Sequence, residues 1–187
     1  MATKPKSNLT VEEYLKEYEG APAGRYELVN GEVITMSSET ALHARIKGNV
    51  YFALRQALEK SNGDCEAFAD GMTIKISNNT AREPDASVQC GKSVKANSLI
   101  LDNPVIVFEV VSPSPGKNDT QRKLIEYFSV PSIQHYVIVD PSDKFILHHQ
   151  RSSGERILTS IVRSGDIEFA PPGFSISFQS VFGEVDR

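Results

Sequence analysis

Val105-Ile106-Val107-Phe108-Glu109-Val110-Val111 is an apolar run broken by a single charge. A short, continuous, β-branched stretch of this kind reads as a strand covered on both faces, as at the centre of a sheet. Glu109 is the anomaly in it. A carboxylate among apolar neighbours is costly to desolvate unless a cation or hydrogen bonds compensate it. Upstream, Glu83-Pro84-Asp85 puts a second acid at the start of another interior strand, Asp85 to Cys90.

Downstream, Ser112-Pro113-Ser114-Pro115-Gly116 leaves the sheet and leads into a helix from about Asp119 to Phe128, with Pro131 beyond its end. Asp119, Lys123 and Tyr127 share one helix face, while Leu124 and Phe128 are expected to turn to the core. Tyr136 to Asp140 is a further buried strand. Strand, helix and strand in this order give a mixed α/β (α+β) architecture.

Toward the N-terminus, Thr10-Val11-Glu12-Glu13 is a capping box opening a short helix, which Gly20 to Gly24 ends. Asn30-Gly31 between Arg25–Val29 and Glu32–Met36 marks a tight hairpin. Ile46, Val50, Ala53, Leu54, Ala57 and Leu58 recur at helical spacing from Thr40 to about Lys60, where Ser61-Asn62-Gly63 stops the helix. Cys65–Ala69 and Met72–Ser77 read as a second hairpin about Asp70-Gly71. Phe145–Gln150 and Arg156–Val162, separated by Ser152-Ser153-Gly154, read as a third, followed by a Pro-Pro-Gly tail segment. The first eight residues are expected to be mobile, and residues 9–187 to form one domain.

Net charge of −4 gives no basic footprint, so any nucleic-acid partner must bind a local patch. Cys65 and Cys90 form no CxxC pair and no dense framework, which argues against a cysteine zinc site or a disulfide scaffold. There is no signal peptide, nor a run approaching the roughly 20 apolar residues of a membrane span. A cytosolic protein with reduced thiols is expected.

Two strand-borne carboxylates repel when both ionise, and a divalent cation relieves that repulsion while supplying a Lewis acid. Oxygen ligands favour Mg²⁺, or Mn²⁺, over zinc. Asp85 and Glu109 are therefore candidate metal ligands; the plainer alternative has Asp85 ending a turn after Pro84 and Glu109 pairing with a buried cation. Lys123 could orient an attacking water and stabilise phosphoryl charge, or be a solvated residue paired with Asp119. His43 is more simply structural than catalytic. His148 and His149 face opposite sides of their strand, cannot chelate together, and are expected at the surface. Ser112 and Ser114 have no His and Asp partners. Gln134 is either a cleft or a turn residue.

Taken together, Arg25-Tyr-Glu-Leu-Val-Asn-Gly-Glu-Val33, His43, Arg82-Glu-Pro-Asp85, Phe108-Glu-Val-Val-Ser-Pro-Ser114, Lys123 with Tyr127, and His135-Tyr-Val-Ile-Val-Asp-Pro141 resemble the Uma2 family, also called DUF820. This is a bacterial group of restriction-endonuclease-like proteins. The resemblance covers about residues 8 to 150. It implies the PD-(D/E)XK nuclease fold, a central mixed sheet flanked by helices with a metal site on its middle strands. Pro84-Asp85 matches the Pro-Asp element, Glu109 the second acid, and Glu27 an additional N-terminal acid. The chain departs from the pattern at Val111, where the lysine of the Glu-X-Lys element would stand; Lys123, from the adjoining helix, is the natural replacement.

The resemblance thus implies a cytoplasmic, Mg²⁺-dependent (Mn²⁺ as substitute) endonuclease acting on DNA. Asp85, Glu109 and the Val110 carbonyl would hold metal, Glu27 would sit near it, and Lys123 would align water. A homodimer is expected, and the Phe145–Phe182 region, where Phe174, Ile176 and Phe178 alternate as if exposed, could form its interface or cover a sheet edge. The rival reading is a catalytically silent nuclease-like module that binds nucleic acid or a protein.

Overall fold

A computed structural model of the chain describes residues 8–18, 25–61, 63–111 and 117–183. The expectations for the first seven residues, for Gly20 to Gly24 and for Ser112 to Gly116 lie outside them. The backbone of the central run, β7 (Pro104–Val110), is buried along its whole length. It pairs in parallel with β8 (His135–Asp140), through the crossover helix α3 (Lys117–Ser129) that a parallel connection requires.

Antiparallel strands complete the sheet on both sides. β6 (Ala86–Cys90) and then β3 (Cys65–Ala69) flank β7, while β9 (Phe145–Arg151) and β10 (Ile157–Val162) continue from β8. The six-stranded order is β10-β9-β8-β7-β6-β3. Along β7 the faces alternate. Ile106, Phe108 and Val110 join the core beneath helix α2 (Ala41–Lys60), whereas Val107 joins Tyr127, Phe128 and Tyr136 in the core under α3. Tyr127 is thus in that core together with Phe128, beyond the pair expected from helical spacing.

A second, antiparallel sheet has the order β2-β1-β5-β4, with β1 (Tyr26–Val29), β2 (Glu32–Thr35), β4 (Ile74–Ser77) and β5 (Thr80–Arg82). The β1–β2 turn uses left-handed Asn30 and Gly31, with φ of 51° and 79°, as its Asn-Gly sequence requires. Helix α1 (Val11–Tyr18) opens with the reciprocal capping box: Glu13 N–H donates to Thr10 Oγ1 and Thr10 N–H to Glu13 Oε2. Thr40 caps α2 by accepting from His43 N–H.

Four expectations are corrected. Cys65–Ala69 and Met72–Ser77 do not form a hairpin: β3 pairs with β6 in the large sheet and β4 with β5 in the small one. Asp70-Gly71 turns the chain, but a turn signal does not decide which strands bond. The cysteines are not reduced thiols either. Cys65 and Cys90 stand directly opposite each other in the β3–β6 register and are joined as a disulfide. This removes the thiol argument for a cytosolic location; among the described residues no helix is long and apolar enough to cross a membrane.

His148 and His149 do face opposite sides but are buried. His148 stacks on His135 and packs on Phe169, while His149 stacks on Tyr136 and bonds Thr159 Oγ1. Finally, the chain after β10 is no loose tail. β11 (Asp166–Phe169) and β12 (Phe174–Ser177) form a hairpin whose turn holds Pro171-Pro172-Gly173, followed by the short helix α4 (Phe178–Phe182). Ile176 is 4 % exposed and belongs to the core beneath α2, with Phe174 and Phe178 packed against it, so this alternation is a core face rather than an exposed interface.

Candidate active site

Because side chains alternate along β7, Glu109 points to the α3 side, as Val107 does. α3 answers with two groups one turn apart: Lys123 Nζ lies 2.9 Å from Glu109 Oε2, and Tyr127 Oη donates to Oε1 at 2.6 Å. Lys123 is 7 % exposed, so the solvated reading fails for it. Its ammonium is also 3.4 Å from Glu27 Oε1 and 3.9 Å from Asp119 Oδ2. The plainer reading of Glu109, a carboxylate paired with a buried cation, is correct, and the cation is the candidate catalytic lysine itself.

Asp85 lies one residue before β6, whose Ala86 is paired with Phe108, so the chain brings it alongside Glu109's segment. Val110 N–H donates to Asp85 Oδ2 at 2.7 Å, His43 Nε2 from the first turn of α2 is 3.4 Å from the same oxygen, and Lys47 Nζ is 3.7 Å from Oδ1. Glu27 comes from the other sheet. The pairing of Leu28 with Ala81 sets it beside Arg82, whose Nη1 donates to Glu27 Oε2 at 2.7 Å while Nε donates to Glu126 at 2.7 Å.

Glu27, Asp85, Glu109, Val110 and Lys123 all line one cleft of about 400 Å³, together with Glu39, His43, Arg82 and Tyr136. Every residue expected at the site is therefore in one place. Gln134 is not: its amide donates to the Pro131 and Ser132 carbonyls, which makes it a turn residue.

The cleft is electrostatically tense. Burial raises the Glu109 carboxyl above the usual carboxylate range, and the charges of Asp85 and Glu27 add to this against the pull of Lys123. Burial also opposes the charge on Lys123, but Glu109 and Glu27 outweigh it and hold the ammonium above its ordinary value. For Asp85, burial is outweighed by the contacts with His43 and Val110 N–H, so its carboxyl lies below the usual range. The three acids thus differ in environment, and Glu109 carries the uncompensated share of the repulsion.

Two residues of the site, Glu39 and Arg82, escaped the sequence reading. Glu39, His43 and Asp85 each offer a ligand atom within 4.8 Å of the others. Glu39 also meets Arg25 and Lys47, which tie it to Asp70. Arg82, only 2 % exposed, organises Glu27 and Glu126. The one available signal was Arg82-Glu-Pro-Asp85 itself, an arginine in phase with the acids of a strand. For Glu39 there was none, because only the fold brings the α2 entry to β6.

The donor set suits a hard divalent cation. Carboxylates dominate it, and their mutual repulsion around Glu109 is what such an ion relieves; the imidazole of His43 extends the range toward Mn²⁺.

The family model described as "Uma2: Putative restriction endonuclease" matches residues 11–182. Two relatives in Synechocystis sp. PCC 6803 are named as uncharacterized proteins. slr1290 is 26 % identical over 180 residues, 95 % of this chain and 93 % of its own. sll1609 is 28 % identical over 167 residues, 87 % and 93 % respectively. Among solved structures, a crystal structure described as "a putative nuclease belonging to DUF820" from Anabaena variabilis superposes with a TM-score of 0.71 at 17 % identity, covering 95 % of this chain and 99 % of that one. At that identity the match establishes the shared fold.

Proposed function

This chain belongs to the Uma2 family, and from that premise we propose that it is a metal-dependent endonuclease that hydrolyses phosphodiester bonds in DNA. The observation that carries the reading is the convergence of Glu27, Asp85, Glu109 and Lys123 on one cleft, with Lys123 supplied by α3 rather than by β7. On this reading Lys123 takes in space the place of the lysine missing at Val111.

Asp85 and Glu109, with the Val110 carbonyl, are the residues proposed to hold the metal, Mg²⁺ or Mn²⁺, with His43 and Glu39 bordering Asp85. When bound, the ion supplies Lewis-acid polarisation of the scissile phosphate and a more acidic water. The protein's own groups do the rest. Lys123 is a fixed ammonium in a dry setting, placed to orient the attacking water and to offset charge that grows on a phosphoryl oxygen. Tyr127 and Glu27 keep it there by anchoring Glu109 and flanking the ammonium. Arg82 neutralises Glu27, so that the acidic cluster survives without metal. Hydrolysis adds water across the phosphodiester; the leaving oxygen takes the proton.

A second reading has support in one observation: both Glu109 oxygens already have protein partners, as in a silent module that binds nucleic acid without cutting. Titrating Mg²⁺ and Mn²⁺ into the protein with supercoiled and with single-stranded DNA separates the two. Metal-dependent nicking or digestion supports the enzyme. Retention of DNA with no cleavage under any metal supports the silent module. The proposed setting is the cytoplasm, and the proposed assembly a two-fold dimer, which lets two sites act on the two strands of a duplex.

A further inference from the structure

We propose that the outer edge of β10 pairs with the same edge of a second copy, fusing two six-stranded sheets across a two-fold axis centred on Thr159. The inference rests on the dimer part of the reading above and on no part of the cleavage chemistry.

β10 ends the large sheet, and among the described residues no strand bonds to its outer side. Its sequence, Ile157-Leu158-Thr159-Ser160-Ile161-Val162, has no charge and no proline, the usual protections of an open edge. Leu158 is 58 % exposed and Ile161 67 %. The opposite edge strand, β3, carries Glu66.

The hydrogen-bond pattern fixes which residues are free to pair. Ser152 N–H donates to the Arg156 carbonyl, so 152 and 156 are a hydrogen-bonded pair of the β9–β10 ladder. Bonding alternates along the ladder; Leu158, Ser160 and Val162 therefore bond to β9, and Ile157, Thr159 and Ile161 direct their N–H and C=O groups outward. A self-complementary antiparallel pairing must set outward residues opposite outward residues. With the axis on Thr159, Thr159 meets its own copy and Ile157 meets Ile161, while just beyond the strand ends Glu155, in the β9–β10 turn, comes beside Arg163, in the bend after β10. Moving the axis to Leu158 or Ser160 keeps the bonding phase, but then Glu155 faces Ile161 or Gly165 and no acid faces a base. Arg163 is already positioned, its guanidinium 5.4 Å over the Phe145 ring on the neighbouring strand. Among the registers that the hydrogen-bond phase allows, apolar pairing and the flanking charges favour this one, and the occupant that satisfies it is a second copy of this chain.

Light scattering of the full chain at tens of micromolar should give twice the monomer mass of 20.6 kDa. Thr159→Cys, oxidised with copper-phenanthroline and air, should form a covalent dimer, because opposed Cα atoms of a bonded pair lie about 5.5 Å apart, within disulfide reach. Leu158→Cys, offset from its own copy, should cross-link far less. Thr159→Pro removes an N–H that makes no bond within the monomer, so it should leave a folded monomer. Should that variant fail to fold, charge reversal still decides: Glu155→Arg should weaken the dimer by about tenfold, and adding Arg163→Glu should restore it. A monomeric wild type overturns both this proposal and the dimer reading. A dimer that neither cross-links at residue 159 nor responds to charge reversal overturns the β10 edge alone.

Discussion

Lys123 Nζ lies 2.9 Å from Glu109 Oε2, although one residue belongs to a helix and the other to a strand, 14 positions apart in the chain. A catalytic lysine is usually pictured two residues from its acid along one strand. Here the helix that covers the strand delivers it instead, which makes Lys123 both a structural counter-ion and the candidate catalytic group.

Lys123→Met keeps the side-chain volume and removes the charge. Cleavage should fall by at least ~100-fold while the fold and Mg²⁺ binding persist, read by plasmid nicking alongside calorimetry. Wild-type rates in the variant would leave Lys123 as a counter-ion only.

Asp85→Asn should abolish divalent-ion binding in calorimetry with the melting profile retained, since Asp85 is common to both possible donor groups, with Glu109 and with Glu39 and His43. A wild-type protein that binds neither Mg²⁺ nor Mn²⁺ at millimolar concentration would contradict the metal-dependent reading.

Arg82→Ala leaves Glu27 and Glu126 without their shared buried cation. Removing one member of such a cluster should cost about 3–5 kcal/mol in urea denaturation, with part of it recovered by Glu27→Gln in the same background. A loss under ~1 kcal/mol would mean that solvent or Lys123 replaces the arginine.

Stability should also fall on mild acidification. His135 Nε2 is 2.6 Å from the Pro171 carbonyl, which can only accept, so this nitrogen carries the hydrogen; Nδ1 is then the acceptor for His148 Nε2–H at 2.9 Å. Burial, followed by the neighbouring His135 and His149, depresses the His148 value to about 4. The unfolded chain then binds more protons than the folded one below the ordinary value of 6.5. This contribution to stability is intact above pH 6.5 and lost as pH falls toward about 4. His148→Gln, which keeps a donor to His135, should flatten the slope of denaturation midpoint against pH in that window. An unchanged slope would assign the acid sensitivity to the carboxylates.

The sequence by itself determined most of the elements and singled out the acids Asp85 and Glu109. β7 was legible because seven adjacent residues state its burial, α2 because its apolar spacing is local, and Asp85 and Glu109 because a charge in an apolar strand is conspicuous in one dimension. Propensity, capping and periodicity act between residues a few positions apart, so they can be read along the chain. The tertiary structure alone decided the pairings. Arg82 meets Glu27 across 55 positions, Cys65 meets Cys90 through strand register, and His43 reaches Asp85 because α2 packs beneath β6 and β7. Asp70-Gly71 announced a turn, yet β3 and β4 went to different sheets. His148, read as surface, is covered by Phe169 of the β11–β12 hairpin from far along the chain, and Ile176, read as exposed, lies in that hairpin and turns into the core beneath α2. Which strand bonds to which, and which face is covered, is settled by the burial of whole surfaces against one another, a quantity that no local window of sequence contains.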